Sequence, residues 1–285
     1  MGSAAEKINV HANLLQSVDV EEQINKWEAC GITTSCICVE GIEQDGELYT
    51  NEKLIPVLRK YPDILVGIGR IDMGWTPTGP ERVEILREHG FSGLFCTRPS
   101  YPYDNEIYYP LYECAIDMDM PLMFETGIVP PAPGDRARGV SCSKMHVTRI
   151  DGVKRVFPEL NIMVSGLGYP AFTEACAQII ECEGMWGDMQ CISDAVQKRA
   201  LFMHELGIHD NRETSAFKEQ FVDLCIRNCA FGGYAADCAE SIDLFERMLD
   251  DLDADDQVRD LFFRGNGEKW LEPYEQSDYE IEEKD

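Results

Sequence analysis

No stretch of this 285-residue chain is apolar for long. A helical membrane span needs roughly 20 such residues in a row, and its absence excludes that class. Cationic residues are scarce, with 25 Lys and Arg against 52 Asp and Glu and a formal charge of −27. Such a chain repels phosphate backbones and anionic lipid, so neither nucleic acid nor a membrane is expected as a partner. The opening MGSAAEKINV lacks the basic and apolar regions of a secretory signal, and a cytoplasmic protein is expected. No Pro/Ser/Gly-rich linker interrupts the chain, which predicts a single domain over residues 1–271 and an acidic tail over 272–285. Zinc-type spacing is missing too. The 12 cysteines are dispersed, and neither Cys36-x-Cys38 nor Cys225-x-x-x-Cys229 has a second pair at ligand spacing, so reduced thiols used in packing are expected. The acidic excess gathers in residues 249–256 and after Trp270, and reads as solvated surface.

What the chain does have is 44% hydrophobic residues, enough for a full core, arranged in a repeating order. Residues 90–127 show it best: an apolar run opened by glycine (91–97), a segment with helical apolar spacing (108–116), then a second apolar run (121–125). Two apolar strands joined by an amphipathic helix imply parallel pairing with both faces covered. The same alternation runs from end to end. Strand candidates start near residues 8, 33, 64, 91, 121, 161, 184 and 229, with helices at 20–29, 51–61, 80–88, 147–157, 170–181, 214–228, 240–249 and 257–263 between or after them. Eight such units predict an α/β fold of the (β/α)8 TIM-barrel type, with a doubly wound open sheet as the alternative. A Pro/Gly-rich loop over 128–143 carries Arg136 and Arg138 and reads as a lid.

In a parallel sheet, polar residues just past the strand ends face the functional crevice. His11 and Asn13 share one face of the first strand by its two-residue period. Arg70 ends the third strand, Arg98 and Tyr101 follow the fourth, and Glu125 ends the fifth. Tyr103, Tyr169 and Tyr234 lie in later loops with hydroxyls to offer. Arg70 and Arg98 would clamp a carboxylate, because a guanidinium matches it in two parallel hydrogen bonds.

Taken in order, several segments resemble the amidohydrolase superfamily, specifically its decarboxylase and lactonase branch. They are Ile8-Asn9-Val10-His11-Ala12-Asn13, residues 61–72 (YPDILVGIGRID), Gly90-Phe91-Ser92-Gly93-Leu94, Tyr109-Pro110-Leu111-Tyr112-Glu113, residues 121–127 (PLMFETG), residues 157–163 (FPELNIM) and Phe262-Phe263-Arg264-Gly265-Asn266-Gly267. The resemblance implies a TIM barrel, often dimeric, with a metal held by a His-x-His pair, a fifth-strand His and an eighth-strand Asp, and a sixth-strand His assisting. This chain departs from that set. Asn13 stands for the second His, Glu125 for the fifth-strand His, Ser165 or Gly166 for the sixth-strand His, and Tyr234 for the Asp, with Asp237 the nearest carboxylate.

These residues lead to an expected hydrolase or lyase acting on a small, cyclic or aromatic carboxylic acid by lactone or C–C bond hydrolysis, decarboxylation or hydration. No tightly held metal is expected. His11 and Glu125 would be acid and base, with Asp237 a second base or orienter. Asn13, Arg70, Arg98, Tyr101, Tyr169 and Tyr234 would bind substrate. Two alternatives remain: a non-catalytic binding protein, and a hydrolase with one divalent Zn or Mn at His11 and Glu125. The resemblance implies that a homodimer is possible, and the aromatic pairs Tyr108-Tyr109 and Phe262-Phe263 would allow one.

Overall fold

Parallel strands follow from the alternation, because a helix must carry the chain back before the next strand can pair in the same direction. The computed structural model describes residues 6–40, 49–74, 79–194, 196–205, 216–233 and 238–273. Its strands are β1 (Lys7–Ala12), β2 (Ile32–Cys38), β3 (Leu65–Asp72), β4 (Phe91–Thr97), β5 (Leu122–Glu125), β6 (Ile162–Ser165), β7 (Met185–Asp188) and β8 (Cys229–Ala230). Each pairs with the next in parallel. The ring closes where the Val10 N–H donates to Phe231 O across 2.9 Å, which makes the fold a (β/α)8 barrel and not the open sheet.

The outer layer comprises α1 (Val20–Ala29), α2 (Asn51–Lys60), α3 (Pro80–Glu88), α4 (Tyr109–Asp117), α5 (Asp135–Arg138), α6 (Thr148–Val156), α7 (Phe172–Glu181), α8 (Gln190–Asp194), α9 (Val196–Glu205), α10 (Ala216–Arg227), α11 (Cys238–Asp251), α12 (Asp256–Asp260) and α13 (Asn266–Leu271). Side-chain oxygens start several of them: Asp19 accepts the Glu22 N–H and Asp255 accepts the Val258 N–H. No helix among the described residues is long and apolar enough to cross a membrane.

Two apolar clusters form the core. One fills the space between strands and helices, and the other lies inside the barrel, built from Ile8, Val10, Cys36, Cys38, Ile68, Phe95, Met123, Met163, Trp186 and Ala230. Trp270 of α13 is fully buried with this inner cluster, and its indole N–H donates to Leu122 O at the start of β5. The N-terminal end of the barrel is thereby plugged, and polar chemistry is left to the other end.

β1 carries an irregularity that matters. Between Asn9 and Ala12 it gains a residue on β2, pairing at Ser35 and Ile37. A bulge of this kind re-aims side chains, and here the consecutive Val10 and His11 both turn toward the barrel axis, His11 lying edge-on to Phe95. Asn9 secures the same strand to the end of β8. Its amide donates to Gly233 O at 2.8 Å, while its oxygen accepts from the backbone N–H of Gly233 and His11.

Several expectations need correction. Cys176 and Cys225 form a disulfide and the other ten cysteines are free, whereas reduced thiols were expected throughout. The pairing joins α7 to α10, which pack on each other across 49 residues of sequence, a proximity that spacing does not reveal. The run after Trp186 leaves the strand at Asp188 and enters α8 at Gln190. The segment expected as a helix over 257–263 is α12 followed by a π-turn at Leu261–Gly265. Tyr108, Phe262 and Phe263 are buried within the chain and cannot provide a dimer surface. The acidic tail lies almost wholly outside the described residues. The carboxylates of the acidic run before it are exposed, as expected, with Arg259 bonded to Asp250 and Asp255 capping α12.

Asn9→Ala would orphan three buried backbone groups at the seam of the barrel. The expected loss of folding free energy is about 2–4 kcal/mol, read as a lowered urea midpoint with an unchanged m-value.

Candidate active site

Inside a barrel, a strand that places an apolar side chain on the axis places its second-next residue there too, one layer closer to the C-terminal rim. Ile68 is thus followed by Arg70, Met123 by Glu125, Met163 by Ser165, Trp186 by Asp188, and Cys38 by Glu40 just past β2. His11 joins them through the bulge. The rim is a ring of charges seated on an apolar floor.

His11 is 2% exposed and sits between two carboxylates. Its Nδ1–H donates to Asp188 Oδ2 at 2.5 Å, and its Nε2–H donates to Glu40 Oε1 at 3.1 Å. The Ser165 hydroxyl lies 3.4 Å from Nδ1. Burial by itself would strip the proton from the ring, but Asp188 and Glu40 outweigh it and the pKa is raised from 6.5 to about 10. His11 is therefore an imidazolium at neutral pH. Asp188 is fully buried, and its Oδ1 also accepts the Gln190 N–H at 2.8 Å where α8 begins. A side chain at Gly232 would collide with that carboxylate, so the glycine after β8 gives Asp188 its room. Glu40 loses hydration in the mouth, which opposes its charge, yet the His11 N–H, with Asn13 and Arg70 nearby, holds its carboxyl below the usual range.

Arg70 is 9% exposed, and its Nη1 donates to Glu40 O at 2.6 Å. Asp72 stands 3.8 Å from Nη2, too far for a hydrogen bond, and among the described residues neither Nε nor Nη2 has an acceptor. Asn13, 3% exposed, makes no well-formed hydrogen bond among the described residues, although it lies close enough to Glu40 to help hold that carboxylate charged. Buried groups of this kind are normally satisfied. Glu125 accepts the Arg98 backbone N–H at 3.1 Å on Oε2, while its carbonyl accepts the Tyr103 hydroxyl. Burial pushes its pKa up, against the opposing pull of Arg98 and Arg70 and with help from Glu40.

The remaining predicted residues scatter. Arg98 turns to the loop after β5, where Nη1 donates to Asp135 Oδ2 at 2.8 Å. Tyr101 is 49% exposed and Tyr103 is wholly buried packing. Tyr169 packs on Phe172 beneath Lys198. Arg136 is exposed. Tyr234 and Asp237 lie outside the described residues. Sequence reasoning missed Glu40 and Asp188. The signal was available, because Cys36, Cys38 and Glu40 share one face of a strand, as do Trp186 and Asp188.

Fold and site together define a (β/α)8 barrel whose charged cluster occupies the C-terminal rim, the end where barrel chemistry is carried out. The chain belongs to the amidohydrolase family, whose profile matches residues 43–272 and so begins after β1 and His11. No curated protein matches it. Solved structures with the same fold include the 2,6-dihydroxybenzoate decarboxylase from Rhizobium, 13% identical over 94% of this chain and 98% of that one, TM-score 0.60. A probable 2-pyrone-4,6-dicarboxylic acid hydrolase from Acinetobacter baumannii, with citric acid bound, is 9% identical over 94% and 99%, TM-score 0.58. The 5-carboxyvanillate decarboxylase from Novosphingobium aromaticivorans, complexed with manganese and 4-hydroxy-3-methoxy-5-nitrobenzoic acid, is 15% identical over 95% and 97%, TM-score 0.57.

Among the described residues, a divalent ion of the kind that last structure holds finds no complete set of ligands. Among the described residues no three His, Cys, Asp or Glu side chains converge on one point. Both nitrogens of His11 are taken by carboxylates on opposite sides of the ring, and a metal ligand needs a free nitrogen lone pair.

The charged triad gives stability a pH signature. A ring with its pKa raised from 6.5 to about 10 contributes fully below about pH 6.5, and its contribution is withdrawn as pH climbs toward 10. At pH 8 the ¹⁵N shifts of His11 should be those of a doubly protonated ring. A titration midpoint near 6.5 would refute the assignment.

Proposed function

We propose that the protein is a hydrolase or lyase that acts on a small cyclic or aromatic carboxylic acid by proton transfer, without a tightly held metal. The observation that carries this reading is the free edge of Arg70. Among the described residues, a buried guanidinium with two unmet donors costs free energy that an anion with two oxygens would return. A carboxylate is the natural complement, since Nε and Nη2 offer parallel donors at its spacing.

Glu125 is the proton carrier. Burial keeps its carboxyl protonated further toward neutral pH than a solvated glutamic acid, so it has a proton to give where the substrate lies. In a decarboxylation it would protonate the ring carbon that bears the departing carboxylate. Carbon dioxide then leaves with the C–C bond broken, and solvent returns the proton to Glu125. In a lactone hydrolysis the same carboxyl would shuttle a proton from attacking water to the ring oxygen. His11 is fixed as a cation by Asp188 and Glu40, and it would stabilise negative charge that develops on the substrate. The fold neighbours that act on 2,6-dihydroxybenzoate and 5-carboxyvanillate support the aromatic-acid class.

The test is a thermal-shift screen of benzoates, hydroxybenzoates and carboxylated lactones, with turnover measured on each hit. Glu125→Gln should lower kcat by roughly 100-fold or more with little change in KM. Arg70→Met should chiefly raise KM. Full activity in Glu125→Gln would remove it from the chemistry, and binding without any turnover would favour a carboxylate-binding role instead.

A further inference from the structure

The mouth holds two strand-end arginines that differ in one respect. Among the described residues, Arg70 keeps Nε and Nη2 open. Arg98 has committed both terminal nitrogens, with Nη1 on Asp135 Oδ2 at 2.8 Å and Nη2 on Pro130 O at 3.2 Å. Asp135 is itself tightly held. Its Oδ2 also accepts the Ala132 N–H at 2.7 Å, and its Oδ1 accepts Arg138 Nη2 at 3.2 Å. Arg138 continues the chain to Asp72 Oδ2 at 2.8 Å, and Ser100 Oγ donates to the Arg138 carbonyl at 2.8 Å. The loop after β5, with α5 in it, is thus latched across the ends of β3 and β4 by alternating charges that are mostly shielded from water, Arg98 and Asp135 each being 14% exposed.

Building on the carboxylate reading above, we propose that Asp135 is a specificity-determining residue that makes the site selective for monocarboxylic acids. It neutralises Arg98 and leaves Arg70 as the one strand-end guanidinium free to bind a substrate carboxylate. A second carboxylate on the ligand could reach Arg98 only by displacing Asp135. Separating a shielded ion pair leaves one charge uncompensated, and the latch to Arg138 and Asp72 would be disturbed with it. Discrimination of this sort works by making the wrong ligand leave a charge unpaired, and it needs no contact between Asp135 and the right one.

Benzoate and isophthalate, which differ by one carboxylate on the same ring, provide the test by isothermal titration of the full chain. Wild-type protein should bind benzoate at least about tenfold more tightly than isophthalate. Asp135→Asn should raise isophthalate affinity by about tenfold or more while benzoate affinity changes less than about twofold, and Asp135→Glu should retain the wild-type preference. Arg98→Met added to Asp135→Asn should abolish the gain, which a merely loosened loop would keep. Equal binding of the two ligands by wild type, a result that requires no variant to fold, overturns the proposal, as does a gain that survives Arg98→Met. Absence of binding for both ligands in every variant rejects the carboxylate reading itself, and the selectivity proposal falls with it.

Discussion

Alternate residues of a closed parallel barrel must point at its axis, and at the C-terminal end of this one the residues that do so are ionisable. Ions so close together, and so poorly hydrated, persist only when each finds opposite charge or a hydrogen bond. The rim meets that demand with fixed pairings: His11 between Asp188 and Glu40, the Arg70 Nη1 on the Glu40 carbonyl, Arg98 on Asp135, Arg138 on Asp72. The apolar layer beneath, sealed below by Trp270, keeps the electrostatics strong by keeping water out.

The triad around His11 also bears on metal binding. An imidazole that is to bind a metal must present a lone pair, and here both ring nitrogens are donors. Asp188 is the decisive partner, because it is wholly buried and its other oxygen is anchored on α8. Asn13, where the family resemblance places a second histidine, offers an amide in place of an imidazole.

The fold was legible because it is written in a pattern that recurs eight times. Short apolar runs separated by capped amphipathic helices leave little freedom about what pairs with what, and the order β1 to β8 follows the chain. Residues at strand ends, such as Arg70 and Glu125, were legible for the same reason. Glu40 and Asp188 stand outside the ligand pattern that the resemblance implies, and only the two-residue period of their strands places them at the rim. The aim of His11 depends on the bulge between Asn9 and Ala12, and a bulge leaves no mark in a strict two-residue alternation. The engagement of Arg98 with Asp135 and the disulfide between α7 and α10 are long-range contacts, fixed by packing and not by spacing.

The balance of charge at the rim connects binding to proton transfer. The cations His11, Arg70, Arg98 and Arg138 face the anions Glu40, Asp72, Asp135 and Asp188, so the cluster is neutral when Glu125 is protonated and carries one excess negative charge when it is not. A carboxylate arriving at Arg70 partly cancels the guanidinium that otherwise favours ionised Glu125, and it adds a like charge nearby. Both effects raise the Glu125 pKa further. On the proposed reading, occupation of the site draws a proton onto the group that must deliver one, and by linkage a protonated Glu125 strengthens the hold on the anion. A protein of charge −27 repels its acidic ligand at a distance, and this reciprocal coupling, confined to a few ångströms of poorly hydrated rim, is a physical means by which it could still bind that ligand and prepare it for reaction.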